Sequence, residues 1–312
     1  MNEIRIGHIE VDSPWGNAGG VIKHPQEVEK MAHAGVGWIE VGSYTLEPRA
    51  GNGPNGEVVY HHDAKTGETY NALGMPNKGM DEVEKEIPEM VQIAHGYGKM
   101  LIVNVAPVSE NPESESLELV QRAYEAGADA VLLNAGCPNV VTEDGGRHEI
   151  LSHNKLALYG VLRALKPVVE KFKPVFIRVS PHDSQTAIHD MLRAIHVSGT
   201  VGALFTPNTF PNHRPLDEEE SPILEVPGGI GGKSGPATAD QAYEQTQWLT
   251  SATLLDVVSS GGITNGYELR RRLGNDREHM AVAGAGTTFY YESGDWEQDT
   301  DRLLWEFAQS QP

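Results

Sequence analysis

The sequence predicts an α/β fold, a single (β/α)8 TIM barrel domain spanning residues 1–312, and three observations lead to it. Eight short apolar segments, each typical of a buried strand, alternate with amphipathic helices. The length of 312 residues fits one such barrel. No GxGxxG motif follows the first strand, so an open doubly wound sheet is the weaker alternative.

The strands and helices follow from the periodicity of the apolar residues. An alternating segment at 1–10 predicts a short N-terminal hairpin outside the barrel. The barrel strands are predicted at 16–21, 36–41, 100–105, 130–133, 174–179, 201–205, 254–259 and 280–285. The helices between and after them are predicted at 25–34, 81–95, 114–126, 154–172, 184–197, 238–251, 266–273 and 295–309.

Long polar loops are predicted after strands two, four and six. Segments 42–80 and 207–236 are rich in Gly, Asn and Pro, and 140–154 follows the fourth strand. All three should open on the C-terminal face of the barrel, where active sites of this fold lie. We interpret 140–154 as a mobile lid, and a plain surface loop is the alternative.

Composition excludes several classes of function. A net charge of −20 disfavours binding to nucleic acid or to an anionic membrane. A single cysteine excludes a disulfide framework and a multi-cysteine metal site. His61 and His62 would point to opposite sides of a strand, so no metal is expected. Without a signal pattern or an 18-residue apolar run, a cytoplasmic chain with no membrane insertion is expected.

The fourth strand leads directly into a polar loop that could carry chemistry. The only cysteine, Cys137, lies between Gly136 and Pro138, and Asn134 and Asn139 flank it. Because Gly and Pro restrict the backbone there, the thiol and the two amides have defined directions. The pattern indicates an active site at the end of a barrel strand, with a buried structural cysteine as the alternative.

Glycine clusters follow the last two predicted strands. Gly261–Gly262 and Gly284–Thr287 could hold a phosphate through backbone N–H groups, because a side chain would block that approach. Glycine also forms ordinary turns, so each cluster alone is weak. Together, at these two strands, they indicate a phosphorylated ligand.

Eight sequence blocks resemble one family. They are NAGGV (17–21), TLEPRAGN (45–52), NALGMPN (71–77), NAGCPN (134–139), NT (208–209), GKSGP (232–236), GGI (261–263) and GT (286–287). They occur in the family's order and cover nearly the whole chain. With them the chain resembles the dihydroorotate dehydrogenases, flavin enzymes of de novo pyrimidine biosynthesis.

The resemblance implies FMN at the barrel mouth and oxidation of dihydroorotate to orotate, with hydride transfer to the flavin. Cys137 stands where the soluble members place their general base. The substrate-binding positions correspond to Asn71, Asn134, Asn139, Asn208 and Thr209. The cofactor-binding positions correspond to Ala18, Gly19, Asn104, Arg178, Gly232, Gly261, Gly262, Gly286 and Thr287.

Two departures from the family pattern stand out. A lysine of the soluble members aligns with Gly42 or Ser43 and is missing, and Arg178 replaces a lysine that meets the flavin. We predict that Lys23 replaces the missing catalytic lysine, because its AGGVIK setting is similar to one in the membrane-bound members. A solvated Lys23 before the next helix is the alternative.

The departures leave other functions open. One is an FMN oxidoreductase acting on another cyclic amide, and another is a flavin-free barrel that binds a phosphorylated ligand. The electron acceptor could be fumarate, a quinone, or NAD through an iron–sulfur partner subunit, since one cysteine cannot hold a cluster. A homodimer is expected from the resemblance.

Overall fold

The computed structural model describes residues 4–140, 146–273, 282–285 and 295–310. Its strands are β1 (Ile4–Ile6), β2 (Ile9–Val11), β3 (Trp15–Asn17), β4 (Trp38–Tyr44), β5 (Tyr60–Asp63), β6 (Glu68–Asn71), β7 (Met100–Val105), β8 (Ala130–Asn134), β9 (Val175–Arg178), β10 (Val201–Thr206), β11 (Phe210–His213), β12 (Gly231–Ser234), β13 (Asp256–Ser259) and β14 (Val282–Ala285). Its helices are α1 (Pro25–Ala32), α2 (Met80–Gly96), α3 (Pro112–Glu125), α4 (Lys155–Ala164), α5 (Lys166–Lys171), α6 (Gln185–Ser198), α7 (Ala239–Ala252), α8 (Gly266–Leu273) and α9 (Trp296–Gln309).

The predicted barrel is confirmed. Eight parallel strands close in the order β10, β13, β14, β3, β4, β7, β8, β9, and β9 pairs again with β10. Each strand is followed by a helix, as a right-handed β–α–β crossover requires. The peptide bonds Gly42–Ser43 and Thr206–Pro207, at the C-terminal ends of β4 and β10, are cis.

Side chains alternate between the inside of the barrel and the surrounding helices. On β7, Leu101 and Val103 pack outward in the large helix-facing core, whereas Ile102 belongs to the small interior core. Trp38 and Phe176 fill the same interior, together with Ile6 and Ile9 of the N-terminal hairpin. The predicted hairpin therefore packs against the barrel interior, and the Gly7 amide donates to Asp256 at the start of β13 (2.7 Å).

The two long segments predicted as loops, 42–80 and 207–236, contain four strands. They form one antiparallel sheet in the order β11, β12, β6, β5. Its central pairing sets Gly232 opposite Asn71, so the segments that follow β4 and β10 are joined. The strands were missed because they are short, polar and paired with residues far away in sequence, which leaves no local periodicity to detect.

Two other boundaries differ from the prediction. The predicted helix 154–172 is divided into α4 and α5 at Leu165, because Pro167 has no amide N–H and enters as one of the first residues of a new helix. The predicted strand 16–21 is only Trp15–Asn17, and the chain leaves it at Gly20, whose φ of +91° is outside the strand region.

Among the described residues, no helix is long and apolar enough to cross a membrane. The same part of the chain has no group of three or more His, Cys, Asp or Glu residues placed to hold a metal ion. The His62 ring instead meets the Thr69 hydroxyl (3.2 Å), and the His61 ring stacks near Tyr70.

Candidate active site

A cavity of about 280 Å³ opens at the C-terminal mouth of the barrel. Its walls come from the segments after β3, β4, β8 and β10 and from the end of β9. The predicted site residues among its lining are Gly19, Lys23, Asn71, Asn134, Cys137, Asn139, Arg178, Asn208 and Thr209. The structure therefore brings both predicted catalytic residues and all five predicted substrate-binding residues into one cavity.

The four asparagines are linked in pairs across the cavity. The Asn139 amide donates to Asn71 Oδ1 (3.0 Å), and the Asn208 amide donates to Asn134 Oδ1 (3.2 Å). Asn134 in turn donates to the Ser43 hydroxyl (2.9 Å). Because each amide already has one partner that fixes its orientation, the remaining donors and acceptors point in defined directions.

Two buried oxygens in this group have no hydrogen-bond partner among the described residues, Asn139 Oδ1 and Thr209 Oγ1. A buried polar atom without a partner costs about 1–3 kcal/mol, so such atoms usually meet a ligand or water. Gly232 keeps the space beside them open, since a Cβ there would lie 2.1 Å from Thr209 Oγ1. The arrangement suits a ligand that offers ring N–H donors.

Cys137 lies on the wall of the cavity and is partly buried. Its loop packs closely on the chain after β9, because a Cβ at Gly136 would lie 2.6 Å from the Ser180 nitrogen. Burial raises the pKa of the thiol, while Arg49, Arg147 and Lys23 act in the opposite direction through their positive charge. Burial is the largest of these effects, so the pKa of the thiol lies above its usual value.

Arg147 connects the two segments that follow β8 and β10. Its guanidinium donates to the Pro138 carbonyl (3.1 Å) and to the Ile230 carbonyl. The mobile lid predicted at 140–154 lies partly outside the described residues. On its C-terminal side the segment is anchored, because the Ser152 amide donates to the Ala135 carbonyl (2.8 Å).

Lys23 reaches the cavity from the segment after β3, and its ammonium donates to the Pro76 carbonyl. Burial lowers the pKa of Lys23 to about 8, against the opposing effects of Glu27 and Cys137. Gly42, one of the two positions aligned with the missing lysine, has a φ of +107°, and a Cβ there would lie 2.4 Å from the Asn104 carbonyl oxygen. The structure leaves no room for a side chain at Gly42, whereas it admits one from Lys23.

A polar layer inside the barrel forms the floor of the cavity. The Arg178 guanidinium makes a bidentate ion pair with Glu40, with Nη1–Oε1 at 2.5 Å and Nη2–Oε2 at 2.7 Å. The Asn104 amide donates to the same carboxylate (2.7 Å). Asn104 Oδ1 is buried and has no partner among the described residues.

The predicted cofactor-binding residues lie around and beyond this floor. A smaller cavity of about 60 Å³ continues from Ala18, Gly19 and Arg178 to Ser260 and Gly261. Gly261 and Gly262 turn with φ of +83° and +76°, a conformation in which their N–H groups can face a phosphate. Gly232 lies instead beside Thr209 and Asn139, and the predicted Gly286 and Thr287 lie outside the described residues.

A buried arginine on α8 holds the glycine turn from behind. Arg272 donates to the carbonyl oxygens of Ala239 (2.7 Å), Gly261 (2.8 Å) and Ser260 (3.3 Å). Its side chain is fully buried, and burial lowers its pKa to about 10. Because the carbonyl groups are directed at Arg272, the turn is fixed in one conformation, which suits a rigid phosphate-binding cradle.

Sequence reasoning assigned no role in the site to Glu40, Arg147 or Arg272. Glu40 had a detectable signal, because it is a carboxylate within the apolar run VGWIEV of a buried strand. Arg272 gave none, since it is the last of three arginines at the end of an amphipathic helix. Only the tertiary structure shows which of those three is directed inward.

The sequence matches a known protein family. The family model described as Dihydroorotate dehydrogenase matches residues 1–291. The chain is 26% identical over 268 residues to dihydroorotate dehydrogenase B (NAD(+)), catalytic subunit, of Alkaliphilus metalliredigens, covering 85% of this chain and 81% of that protein. It is 24% identical over 278 residues to dihydroorotate dehydrogenase (quinone) of Nautilia profundicola, covering 86% and 70%.

A third relative is matched over a shorter part. The chain is 29% identical over 174 residues to a putative dihydroorotate dehydrogenase A (fumarate) of Aeropyrum pernix, covering 54% of this chain and 52% of that protein. The three relatives carry the names of three different classes, while the family model spans nearly the whole chain. The chain belongs to the dihydroorotate dehydrogenase family of FMN-dependent oxidoreductases.

Proposed function

We propose that the protein oxidises dihydroorotate to orotate with bound FMN. The observation that carries this proposal is the cavity lined by four asparagines and a partly buried thiol, with a narrow extension that leads to the turn at Gly261. A dihydropyrimidine ring presents alternating N–H and C=O groups, and asparagine side chains can satisfy both. Family membership independently favours this chemistry and disfavours a flavin-free barrel.

In this mechanism the asparagines orient the ring, and the thiolate of Cys137 accepts a proton from the substrate C–H bond that is oxidised. Bound FMN supplies the hydride acceptor. Arg178, Gly19 and Gly261 are the residues that would hold it, because they line the cavity or its narrow extension, and Asn104 would lie behind them, bonded to Glu40. The ammonium of Lys23 attracts the substrate carboxylate in a site with little water.

The cations around Cys137 support its role as the base. Burial raises the pKa of the thiol, and the positive charges of Arg49, Arg147 and Lys23 reduce that rise. No acidic side chain bonds to the Arg49 guanidinium within the described residues, where its Nε donates to the Gly74 carbonyl (3.1 Å). The positive charge is therefore available to the thiolate and to an anionic substrate.

A second candidate is oxidation of another cyclic amide. The departure at Gly42 or Ser43 favours it, because neither position carries the lysine of the soluble members and Lys23 approaches from a different segment. A substrate without a carboxylate would bind the same asparagines but would not need Lys23. The two candidates thus differ in one chemical group of the substrate.

The electron acceptor and the assembly remain predictions. Relatives are named for fumarate, NAD(+) and quinone, so all three acceptors are proposed as candidates here. NAD(+) would require an iron–sulfur partner subunit, since this chain has one cysteine. The homodimer and the cytoplasmic location also stay predictions from the sequence.

The test is anaerobic mixing of the FMN-loaded protein with dihydroorotate or with dihydrouracil, which lacks the carboxylate. Bleaching of the flavin band near ~450 nm reports reduction. We expect dihydroorotate to reduce the flavin at least about tenfold faster at equal concentration, an effect of about 1.4 kcal/mol. Equal rates would favour the second candidate. Adding fumarate, a quinone or NAD(+) to the reduced protein then identifies the acceptor.

A further inference from the structure

We propose that Glu40 sets the charge that the barrel presents to the flavin, by neutralising Arg178 in a fixed pair. The inference rests on the proposed placement of FMN at the barrel mouth, and it does not depend on the identity of the substrate. It assigns a positioning and tuning role to Glu40, a residue that has no place in the asparagine–cysteine machinery.

The pair is built into the barrel wall and is closed to solvent. The side chain of Glu40 is 0% exposed and that of Arg178 is 7% exposed. Both oxygens of Glu40 accept from the two terminal nitrogens of Arg178, and Oε1 also accepts from Asn104. A bidentate pair of this kind fixes the relative orientation of the two groups, because the planar guanidinium matches the carboxylate edge to edge.

The backbone of Glu40 is fixed as firmly as its side chain. Asn17 on β3 donates to the Glu40 carbonyl (2.6 Å) and accepts from the Glu40 amide (2.8 Å). β3 and β4 share only one residue pair in the barrel ladder, Gly16 with Trp38. The Asn17 side chain therefore continues the connection between these strands up to the level of the ion pair.

Arg178 faces the ligand space, and Glu40 lies behind it in the barrel. Gly19 lies immediately above it, because a Cβ on Gly19 would be 2.6 Å from both Arg178 Nη1 and Glu40 Oε1. Arg178 lines both the large cavity and its narrow extension. Because residue 19 is glycine, no side chain at that position lies between the ion pair and a ligand at the barrel mouth.

The charge of this pair has a chemical consequence for a flavin. Reduction places negative charge on the pyrimidine end of the flavin ring, and a lone buried cation would stabilise that charge strongly. With Glu40 bound to both its terminal nitrogens, Arg178 presents a dipole with no net charge. The flavin then keeps a weaker attraction for electrons, which helps the reduced form to pass them to an acceptor.

Sulfite tests the proposal without substrate. Sulfite adds to the oxidised flavin and leaves a negative charge on the ring, so its dissociation constant reports the local charge. We expect Glu40→Gln to bind sulfite at least about tenfold more tightly and Arg178→Gln at least about tenfold more weakly, each about 1.4 kcal/mol. The double variant, which is again neutral, should return to within about threefold of wild type.

The opposite shifts expected for the two single variants distinguish an effect of charge from a loss of structure. Gln at 40 still accepts from Arg178 and Asn104, so the variant should fold and bind FMN. Arg178→Lys keeps the charge beside Glu40 and should resemble wild type, and the reduction potential should rise in Glu40→Gln and fall in Arg178→Gln. Shifts of the same sign in both single variants, or no shift beyond about twofold, would overturn the proposal.

The outcome of the sulfite experiment does not depend on the substrate of the proposed reaction. A protein that shows the sulfite pattern but does not oxidise dihydroorotate keeps this inference and loses the substrate assignment. A folded protein that takes up no FMN loses both the cofactor placement and the inference.

Discussion

Replacing Lys23 with methionine is expected to make the protein more stable and less able to bind orotate. The ammonium is held in the cavity, where burial lowers its pKa from 10.5 to about 8. A difference of this size between folded and unfolded states corresponds to about 3 kcal/mol, which is an upper limit because the long side chain can turn toward water. We therefore expect Lys23→Met to gain about 1–2 kcal/mol in free energy of unfolding at pH 7.

The pH dependence gives the sign of this effect. Between pH 8 and 10.5 the unfolded chain keeps a proton on Lys23 that the folded protein has released, so the stability of the wild type should rise with pH in this window. Below about pH 8 both states carry the proton, and the difference between wild type and variant should be constant and largest. Above 10.5 both states are neutral, and the difference should vanish.

The assay is urea unfolding of the FMN-free protein at pH 7 and pH 10, together with an orotate titration of the loaded protein. Lys65→Met is the matched control, because Lys65 is exposed on the turn between β5 and β6 and should change neither quantity. Orotate binding should weaken at least about tenfold in Lys23→Met only. A variant that is less stable than wild type at pH 7, or that binds orotate equally well, would refute the reasoning.

Two further predictions concern the base and the phosphate turn. Because burial raises the pKa of Cys137, the rate of flavin reduction by saturating dihydroorotate should increase about tenfold per pH unit below that pKa. The Cys137→Ser variant should be reduced about 10²- to 10⁴-fold more slowly and should lack this pH dependence. If stopped-flow measurements find the wild-type rate in the serine variant, the thiol is not the base. Arg272→Met should weaken FMN binding at least about tenfold, since Arg272 holds the carbonyl groups of the turn. The affinity for riboflavin, which lacks the phosphate, should stay within about twofold of wild type. An equal loss of affinity for both ligands in a fluorescence titration would show a general packing defect instead.

The shared location of the predicted site residues could be predicted from the sequence, because several of them stand at strand ends. Cys137 and Asn139 follow β8, and Asn208 follows β10, so the barrel topology alone brings them to one face. Lys23 lines the cavity, and its replacement of the missing lysine stays a prediction. Whether Lys23 acts on the substrate is a matter for the orotate titration.

Pairings over long distances in sequence were not visible. β6 and β12 come from segments that lack apolar alternation, and each gains its partner only after the barrel has brought the two segments together. The Glu40–Arg178 pair has the same origin, since its members are 138 residues apart. The sequence around either residue does not indicate which partner it will bind.

The sequence by itself determined the barrel and its polar C-terminal face, and the family resemblance supplied the side chains proposed to bind a pyrimidine and a flavin. The reason is that burial periodicity and strand-end composition are local properties of the chain. The tertiary structure decided which charges are neutralised: among the described residues, Arg178 is paired with Glu40, whereas Lys23 and Arg49 donate to backbone carbonyl groups and form no ion pair. Charge in a closed site depends on distances of a few ångströms and on exclusion of water, and neither exists until the chain has folded.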